Sequence, residues 1–360
     1  MENNVVKKPR LEWLDALRGF TMIMVVANHV AGMAFGEAIK HSSSLQFLVM
    51  FRMPLFFFVS GFLAYKAGLK WDLKTLGTSL LKKIRVQTIP TIVFFFFGAA
   101  ILGKSFWPTI YSWLGHSLKG GYWFTIVLLY MFVIYYLFCY VESKLKIHSW
   151  IPITVLFIIS MCLYDTCYQP KYFPWALGWK KAPSEFMNYS SFNQLFLYFP
   201  FFLYGNIVRR YWDRAQRVMD NPWFYPMIIV LVIFAALDSL KWHTLRMTWA
   251  VIPLTLARFI LLTIVFMYFR HYSQYFTKLS PIGASLQYIG RRTLDIYLIH
   301  YLFMPNLPTI GTFFSQYRHN FAIDTTLSLI IALLVIGFSI ITSNILRISP
   351  FFKKWLFGRS

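Results

Sequence analysis

About ten apolar stretches recur along the chain, each long enough to cross a lipid bilayer as an α-helix. They span residues 13–35, 45–66, 86–103, 122–141, 149–165, 190–208, 223–240, 249–269, 283–304 and 324–346. Of the 360 residues, 58% are hydrophobic and 13% are charged. A soluble domain has no core that buries so large an apolar fraction. The sequence therefore predicts an all-α, multi-pass membrane protein, a bundle of about ten transmembrane helices.

The basic residues predict the orientation of this bundle. An even number of spans puts both termini on one side, and a cytoplasmic N-terminus places most Lys and Arg of the loops inside. We therefore expect an N-in, C-in topology. The net charge of +22 then reflects basic inner loops that attract anionic lipid. Nucleic-acid binding is not expected, because the basic residues flank spans instead of forming a stripe on a soluble fold.

The loops are short, so we expect a single transmembrane domain over residues 1–360. The longest outer segment, 165–189, is rich in proline and aromatic residues. It either anchors the protein at the membrane interface or covers an acceptor site as a lid. Cys139, Cys162 and Cys167 lie in or beside apolar runs without metal-ligand spacing, so we expect packing roles for them and no metal site.

The first span, Trp13 to Phe35, carries Asp15, Arg18 and His29. Ionisable groups inside a membrane span are costly and usually functional. Arg18 and His29 are separated by about three helical turns, so they face the same way, roughly 16 Å apart. This spacing suits a long substrate that is held at one end and undergoes proton chemistry at the other.

The second span contains FRMPLFFFVSG, in which Arg52 precedes Pro54 by two residues. A proline inside a helix frees backbone carbonyls, and Ser60 followed by Gly61 allows a chain or a ligand to approach closely. Arg52 is predicted in the outer half of the bundle. It either serves a reaction there, extends to the outer interface or pairs with a structural carboxylate.

Lys82, Lys83 and Arg85 form a basic cluster just before Pro90 in the third span. Each one alone fits the usual excess of positive charge at cytoplasmic span ends. As a set, together with Arg18, they also form a candidate site for the phosphates of a nucleotide.

The ninth span, YIGRRTLDIYLIHYLF, again places charges in an apolar helix. Arg291 and Arg292 precede Asp295 by four and three residues, which predicts ion pairs within one helix. His300 lies towards the outer half. It either orients an acceptor, acts as a second base or bonds to a backbone carbonyl.

Taken in order, six strings of this sequence resemble the acyltransferase-3 family of bacterial integral-membrane acyltransferases. They are LDALRGF…NHV, FRMPLFFFVSGF, KKIRVQTIP, GYWFTIVLLYMFV, FPFFLYGNIVRR and YIGRRTLDIYLIHYLF. The resemblance covers nearly the whole chain. It implies a ten-helix bundle in the bacterial inner membrane that transfers an acyl group, usually acetyl from acetyl-CoA, to a hydroxyl of a surface carbohydrate.

The resemblance also carries over to single residues. The arginine and histidine of the family's first-helix signature match Arg18 and His29. The arginine before its second-helix proline matches Arg52, and its fourth-helix aromatic pair matches Trp123 and Phe124.

The chain departs from the family's pattern at two points. The third-helix basic pair, often two arginines, is Lys82 and Arg85 here. The chain also ends soon after the last span, so the extra helix and the esterase-like domain of some members are not expected.

Acyl transfer from a thioester sets three requirements on such a site. The thioester is already activated, so the protein must supply a base for the hydroxyl proton, a donor for the oxyanion and the positioning of two substrates. Histidine titrates near neutrality and suits the base. The predicted catalytic residues are His29, Arg52 and Asp15, the donor-binding residues Arg18, Lys82, Arg85 and Trp123, and the acceptor-binding residues His300, Tyr297 and Ser60.

The expected partners are an acyl-CoA co-substrate, a glycan acceptor and the lipid bilayer, with no permanently bound cofactor. The sequence specifies neither the acceptor sugar nor the oligomeric state. A transporter or flippase for a charged or sugar-linked substrate is the alternative, because it uses the same buried charges without chemistry. Many secondary transporters carry internal repeats, which this sequence lacks.

Overall fold

The computed structural model describes residues 11–36, 43–101, 103, 105–145, 147–168, 185–241, 251–316 and 321–357. Every regular element within these ranges is helical. The α-helices are α1 (Glu12–His29), α2 (Ser43–Ala64), α3 (Leu73–Lys83), α4 (Ile89–Ile101), α5 (Phe106–Gly115), α6 (Trp123–Glu142), α7 (Trp150–Tyr168), α8 (Glu185–Ser190), α9 (Phe192–Arg210), α10 (Trp212–Met219), α11 (Phe224–Lys241), α12 (Val251–His271), α13 (Pro281–Arg291), α14 (Thr293–Ile299), α15 (Pro308–Gln316), α16 (Phe321–Leu346) and α17 (Pro350–Phe357).

Two π-helical segments and three 3-10 turns complete these elements. The π-helical segment Val30–Ala34 continues α1, and Ile84–Thr88 joins α3 to α4. The 3-10 turns are Lys119–Gly121, Ser273–Phe276 and His300–Phe303. The all-α prediction is thus confirmed over the described residues.

Four helical stretches are long and apolar enough to cross a membrane: Glu12–Ala34, Leu73–Ile101, Trp123–Glu142 and Ala322–Leu346. Each of the other predicted stretches also overlaps a helix. The count of ten spans and the N-in, C-in topology remain predictions. The predicted cap or anchor within 165–189 falls mainly on residues 169–184, which lie outside the described ranges.

The helix α1 is the centre of the bundle. Of its most apolar 18 residues 72% are buried, whereas the corresponding share in Ala322–Leu346 is 28%. It packs on α2, α13 and α16, while α2 packs on α9 and α9 on α7. Most charged and polar side chains of α1 therefore contact other helices or an internal cavity.

Two of the predicted spans differ from the observed helices. The third begins at Leu73, because Asp72 caps α3 by accepting a hydrogen bond from Thr75 N at 2.7 Å. That hydrogen bond also lowers the pKa of the Asp72 carboxyl, which keeps the cap charged. The ninth is broken, because the backbone of Arg292 leaves the helical conformation between α13 and α14.

The cysteines divide between the core and the surface of the bundle. Cys139 is buried, as its predicted packing role requires, whereas Cys162 is exposed on α7. The apolar face of α7 on which Cys162 lies is directed outward, so the thiol does not pack in the core. The side chain of Cys167 lies outside the described residues.

Glycine brings two pairs of helices into backbone contact. Gly19 and Gly290 lie where α1 crosses α13, and Gly61 and Gly205 lie where α2 crosses α9. At each of the four, a methyl group would overlap backbone atoms of the opposite helix. The close approach predicted at Gly61 is therefore made by a neighbouring helix, and a neighbouring helix approaches Gly19 in the same way.

We expect Gly290→Ala to destabilise the protein by about 1–3 kcal/mol, because overpacking pushes α13 away from α1. Thermal unfolding of the purified protein in detergent measures the loss. Gly337→Ala is the matched control, since a methyl group there meets no atom within 4 Å. Equal unfolding temperatures for the two variants would show that the crossing tolerates a side chain.

Candidate active site

One face of α1 lines two internal cavities in succession. Arg18 and Thr21 border the first cavity, and Met22, Val25 and His29 border the second. Arg18, Met22, Val25 and His29 follow one another at three- and four-residue intervals, so they share one side of the helix, with Thr21 beside them. The structure therefore has the alignment of Arg18 and His29 that their spacing predicts.

The first cavity has a volume of about 430 Å³ and is called the basic cavity here. Its lining contains five cationic side chains: Arg18, Lys66, Lys82, Lys83 and Arg291. Among the described residues, no acidic side chain lines it. An accumulation of arginine and lysine in a lining without acidic side chains favours a ligand with several negative charges.

The Arg18 guanidinium is fixed from two sides. Its Nη2 donates a hydrogen bond to Thr293 Oγ1 at 3.0 Å, and Nη1 lies 3.6 Å from Asp15 Oδ1. Asp15 is buried next to Arg18 and lies about 21 Å along the helix from His29. The predicted catalytic carboxylate is thus placed with the arginine, at the far end from the histidine.

The second cavity has a volume of about 570 Å³ and is called the histidine cavity here. Polar and aromatic side chains share its lining: Asn28, His29, Arg52, Trp123, Gln194, Tyr198 and Tyr301. It extends to Gly120 and Gly121, which turn the chain into α6 with positive φ angles of 58° and 96°. Among the described residues, Arg52 is the one formally charged side chain in this lining.

Three aromatic residues, Phe56, Phe124 and Tyr297, line both cavities and form an aromatic partition between them. The ring centroids of Phe56 and Phe124 lie 4.7 Å apart, and those of Phe124 and Tyr297 lie 5.4 Å apart. The Tyr297 hydroxyl donates to Gly121 O at 2.6 Å and accepts from Phe124 N at 3.2 Å. Its one proton is therefore used by the backbone, which makes Tyr297 a fixed part of the partition.

His29 and His300 are joined by a hydrogen bond of 2.8 Å between His29 Nδ1 and His300 Nε2. His300 Nδ1 lies 3.0 Å from Ile296 O and 2.9 Å from Tyr297 O. Carbonyl oxygens only accept, so His300 Nδ1 carries a proton. His300 is fully buried, which disfavours its charged form, and its Nε2 is then an acceptor.

This arrangement fixes the tautomer of His29. Its Nδ1 must donate to His300 Nε2, which leaves a lone pair on Nε2. Because His29 lines the histidine cavity, this nitrogen is the atom of the ring that can accept a proton from a bound ligand. His300 lines neither cavity, so its position is that of a group that orients His29 and not that of an acceptor ligand.

Arg52 faces the histidine cavity without a carboxylate partner among the described residues. Its Nε is buried and has no hydrogen-bond partner in the same residues. A buried donor that the protein does not satisfy is costly, which indicates that a ligand uses it. Of the roles considered from sequence, pairing with a structural carboxylate is not observed.

Three further residues do not lie in the cavity that their predicted role, donor or acceptor binding, requires. Trp123 was assigned to the donor and lines the histidine cavity, and Ser60 was assigned to the acceptor and lines the basic cavity. The Ser60 hydroxyl donates to Phe56 O at 2.9 Å. Arg85 is exposed and lines neither cavity, because Val86 and Gln87 are the residues of its π-helical segment that face the basic cavity.

Sequence reasoning left many of the lining residues unassigned, among them four charged or amide side chains. Lys66 and Arg291 complete the basic cavity, and Asn28 and Gln194 line the histidine cavity. Asn28 adjoins His29 in the string NHV, and Gln194 is a polar residue in a largely apolar stretch, so both carried a signal. Arg291 was predicted to pair with Asp295. It lines the basic cavity instead.

The fold and the two cavities define a class of protein: a helical integral membrane protein with a cation-lined cavity on one side of an aromatic partition and a histidine on the other. A family model described as an acyltransferase domain matches residues 11–348. The chain therefore belongs to the acyltransferase-3 family, which confirms the resemblance seen in the sequence.

One similar protein is "Glucans biosynthesis protein C" of Escherichia coli O6:K15:H31 (strain 536 / UPEC). The two are 26% identical over 152 residues, an alignment that covers 36% of this chain and 38% of that protein. The chain thus matches well under half of this relative's length. No solved structure gives a significant match.

Proposed function

We propose that this protein transfers an acetyl group from acetyl-CoA to a hydroxyl of a cell-surface glycan or its lipid-linked precursor. The observation that carries the proposal is the meeting of two unlike cavities at one aromatic partition, along one face of α1. The basic cavity suits a polyanionic donor, and the histidine cavity offers a base to an uncharged hydroxyl. Family membership and the glucan-related name of the relative support this division.

The basic cavity binds the phosphates of coenzyme A in this proposal. Arg18 and the neighbouring lysines supply charge-assisted hydrogen bonds to phosphate oxygens. The pantetheine arm, on the order of 15 to 20 Å long, matches the roughly 16 Å rise from Arg18 to His29. The thioester then reaches His29 by passing between the rings of the partition.

The chemical step uses two residues of the histidine cavity. The acceptor hydroxyl gives its proton to His29 Nε2 while its oxygen attacks the thioester carbonyl, forming a tetrahedral oxyanion. Arg52 donates hydrogen bonds to that oxyanion. The carbon–sulfur bond then breaks, the imidazolium returns the proton to the thiolate, and free coenzyme A and the acetyl ester leave.

The donor site is tested by calorimetry of acetyl-CoA binding to purified protein in detergent. We expect Arg18→Ala to weaken binding about tenfold to a hundredfold, since it removes a charge-assisted contact to phosphate. Lys82→Ala and Lys83→Ala should cause smaller losses, and added salt should weaken wild-type binding. Unchanged affinity in Arg18→Ala would rule out the basic cavity as the donor site.

Two exposed cations outside the cavity serve as comparisons. Lys74→Ala removes a charge from α3 and should leave the affinity unchanged. Arg85→Ala tests two opposing predictions. The exposed position of Arg85 predicts no loss of acetyl-CoA affinity, whereas the family pattern predicts a loss like that of Lys82→Ala.

Turnover separates the proposed transferase from the transporter alternative. We expect release of coenzyme A from acetyl-CoA when a glucan oligosaccharide is added. A transporter leaves the thioester intact under the same conditions.

A further inference from the structure

The histidine cavity contains polar atoms for which the protein supplies no partner. Asn28 Nδ2 and Gln194 Oε1 are buried and form no hydrogen bond within the described residues. The two residues are only 6% and 7% exposed, and both line the cavity. Buried amides are normally satisfied, so a bound ligand is the remaining source of partners.

The basic cavity differs in this respect. Within the described part of the chain, no side chain that lines it carries a buried polar atom without a partner. Of the two cavities, the histidine cavity is thus the one lined by unsatisfied amides among the described residues. They mark a site for a ligand that is polar without being strongly charged.

The two amide atoms define the chemistry of that ligand. Asn28 Nδ2 needs an acceptor and Gln194 Oε1 needs a donor. A hydroxyl group is both, so two hydroxyls on one ligand satisfy both amides. Arg52 is the only formal charge that the described part of the chain contributes to the lining, which does not suit a ligand with several negative charges.

An aromatic wall adds a second requirement. The rings of Trp123 and Tyr198 stack with centroids 5.5 Å apart, and Tyr198 stacks on Phe57 at 5.1 Å. Trp123 and Tyr198 both line the cavity. A ligand with one apolar face and a hydroxyl-bearing edge packs its face on such rings and directs its edge to the amides.

We infer that Asn28 and Gln194 select the acceptor by binding two hydroxyls of an uncharged hexose ring that packs against Trp123 and Tyr198. The inference rests on the proposed function, because it identifies the acceptor side of that reaction. Asn28 and His29 line the same cavity, so the amide and the base bind different hydroxyls of the same sugar. The hydroxyl at His29 Nε2 is the one that is acylated.

The probe for this site is a linear glucose tetrasaccharide, titrated into the purified full-length protein in detergent. We expect Asn28→Leu and Gln194→Leu each to weaken binding about tenfold to a hundredfold, because a sugar hydroxyl loses its partner. The acceptor KM should rise by a similar factor and kcat should change less. Gln194→Glu keeps an acceptor oxygen and should retain most of the affinity.

Thr88→Val is the matched control, since it removes a buried unpartnered hydroxyl that lines neither cavity. It should bind the tetrasaccharide like the wild type. The inference is overturned if the wild type does not bind the tetrasaccharide, or if both leucine variants bind it normally. Failure of the proposed function gives a different result: the tetrasaccharide binds through both amides, and acetyl-CoA is not consumed.

Discussion

Replacing His29 with asparagine should lower acyl transfer by about 100- to 10,000-fold, the usual contribution of a general base. The asparagine amide can still donate to His300 Nε2 in place of His29 Nδ1, so the buried histidine keeps its partner. What is lost is the lone pair on Nε2. Turnover of acetyl-CoA with a glucan oligosaccharide, measured on the purified variant, gives the result.

Two comparisons make this test decisive. His29→Ala should lose as much activity as His29→Asn, and His148→Ala should lose none, because His148 is exposed on the loop before α7. Thermal unfolding in detergent checks that the His29 variants remain folded. Wild-type turnover in His29→Asn would show that His29 is structural and that the base lies elsewhere.

His300 has a separate signature if it acts by positioning His29. His300→Ala leaves the His29 Nδ1–H without its acceptor, so both tautomers of His29 become available. Turnover should then fall by less than in His29→Asn, and its dependence on pH should change. A purely structural defect lowers turnover by the same factor at every pH.

The sequence predicted those features of the site that depend on one helix. Arg18 and His29 share a face because helical periodicity is a local property, and α1 is regular from Glu12 to His29. Arg52, on the next predicted span, lines the same cavity as His29.

Contacts between distant segments were beyond sequence reasoning. Asp295 pairs with Arg347 of the chain end at 2.6 Å, in addition to Arg292 at 3.4 Å. The break at Arg292 ends the helix that would have brought Arg291 to Asp295. Arg347, 52 residues further along the chain, pairs with Asp295 instead. No local sequence pattern indicates a pairing over such a separation.

Register between neighbouring helices explains the exchange of Trp123 and Ser60 between the two predicted sites. Each lies near the aromatic partition, where a shift of one helical turn moves a side chain from one cavity to the other. Glycine crossings such as that at Gly61 fix this register through backbone contact. The sequence shows the glycine but not the residue that it meets.

Replacing Arg52 with lysine should separate the chemical step from donor binding. Arg52 lines the histidine cavity with a buried, unpartnered Nε, and the basic cavity contains the cations suited to phosphate. Lysine keeps the positive charge and loses the planar fork of donors. We expect acetyl-CoA affinity near that of the wild type and turnover lower by about one to three orders of magnitude, the cost of a lost oxyanion donor.

Arg258→Lys is the control for this exchange, because Arg258 is a buried arginine that lines neither cavity and donates to the Tyr164 hydroxyl at 3.3 Å. Its turnover should stay within a few-fold of the wild type. Loss of acetyl-CoA binding in Arg52→Lys, with turnover intact at saturating donor, would place the phosphates at Arg52 and reverse the roles of the two cavities. A fall in turnover at unchanged donor affinity instead places Arg52 at the carbonyl, on the same side of the partition as His29.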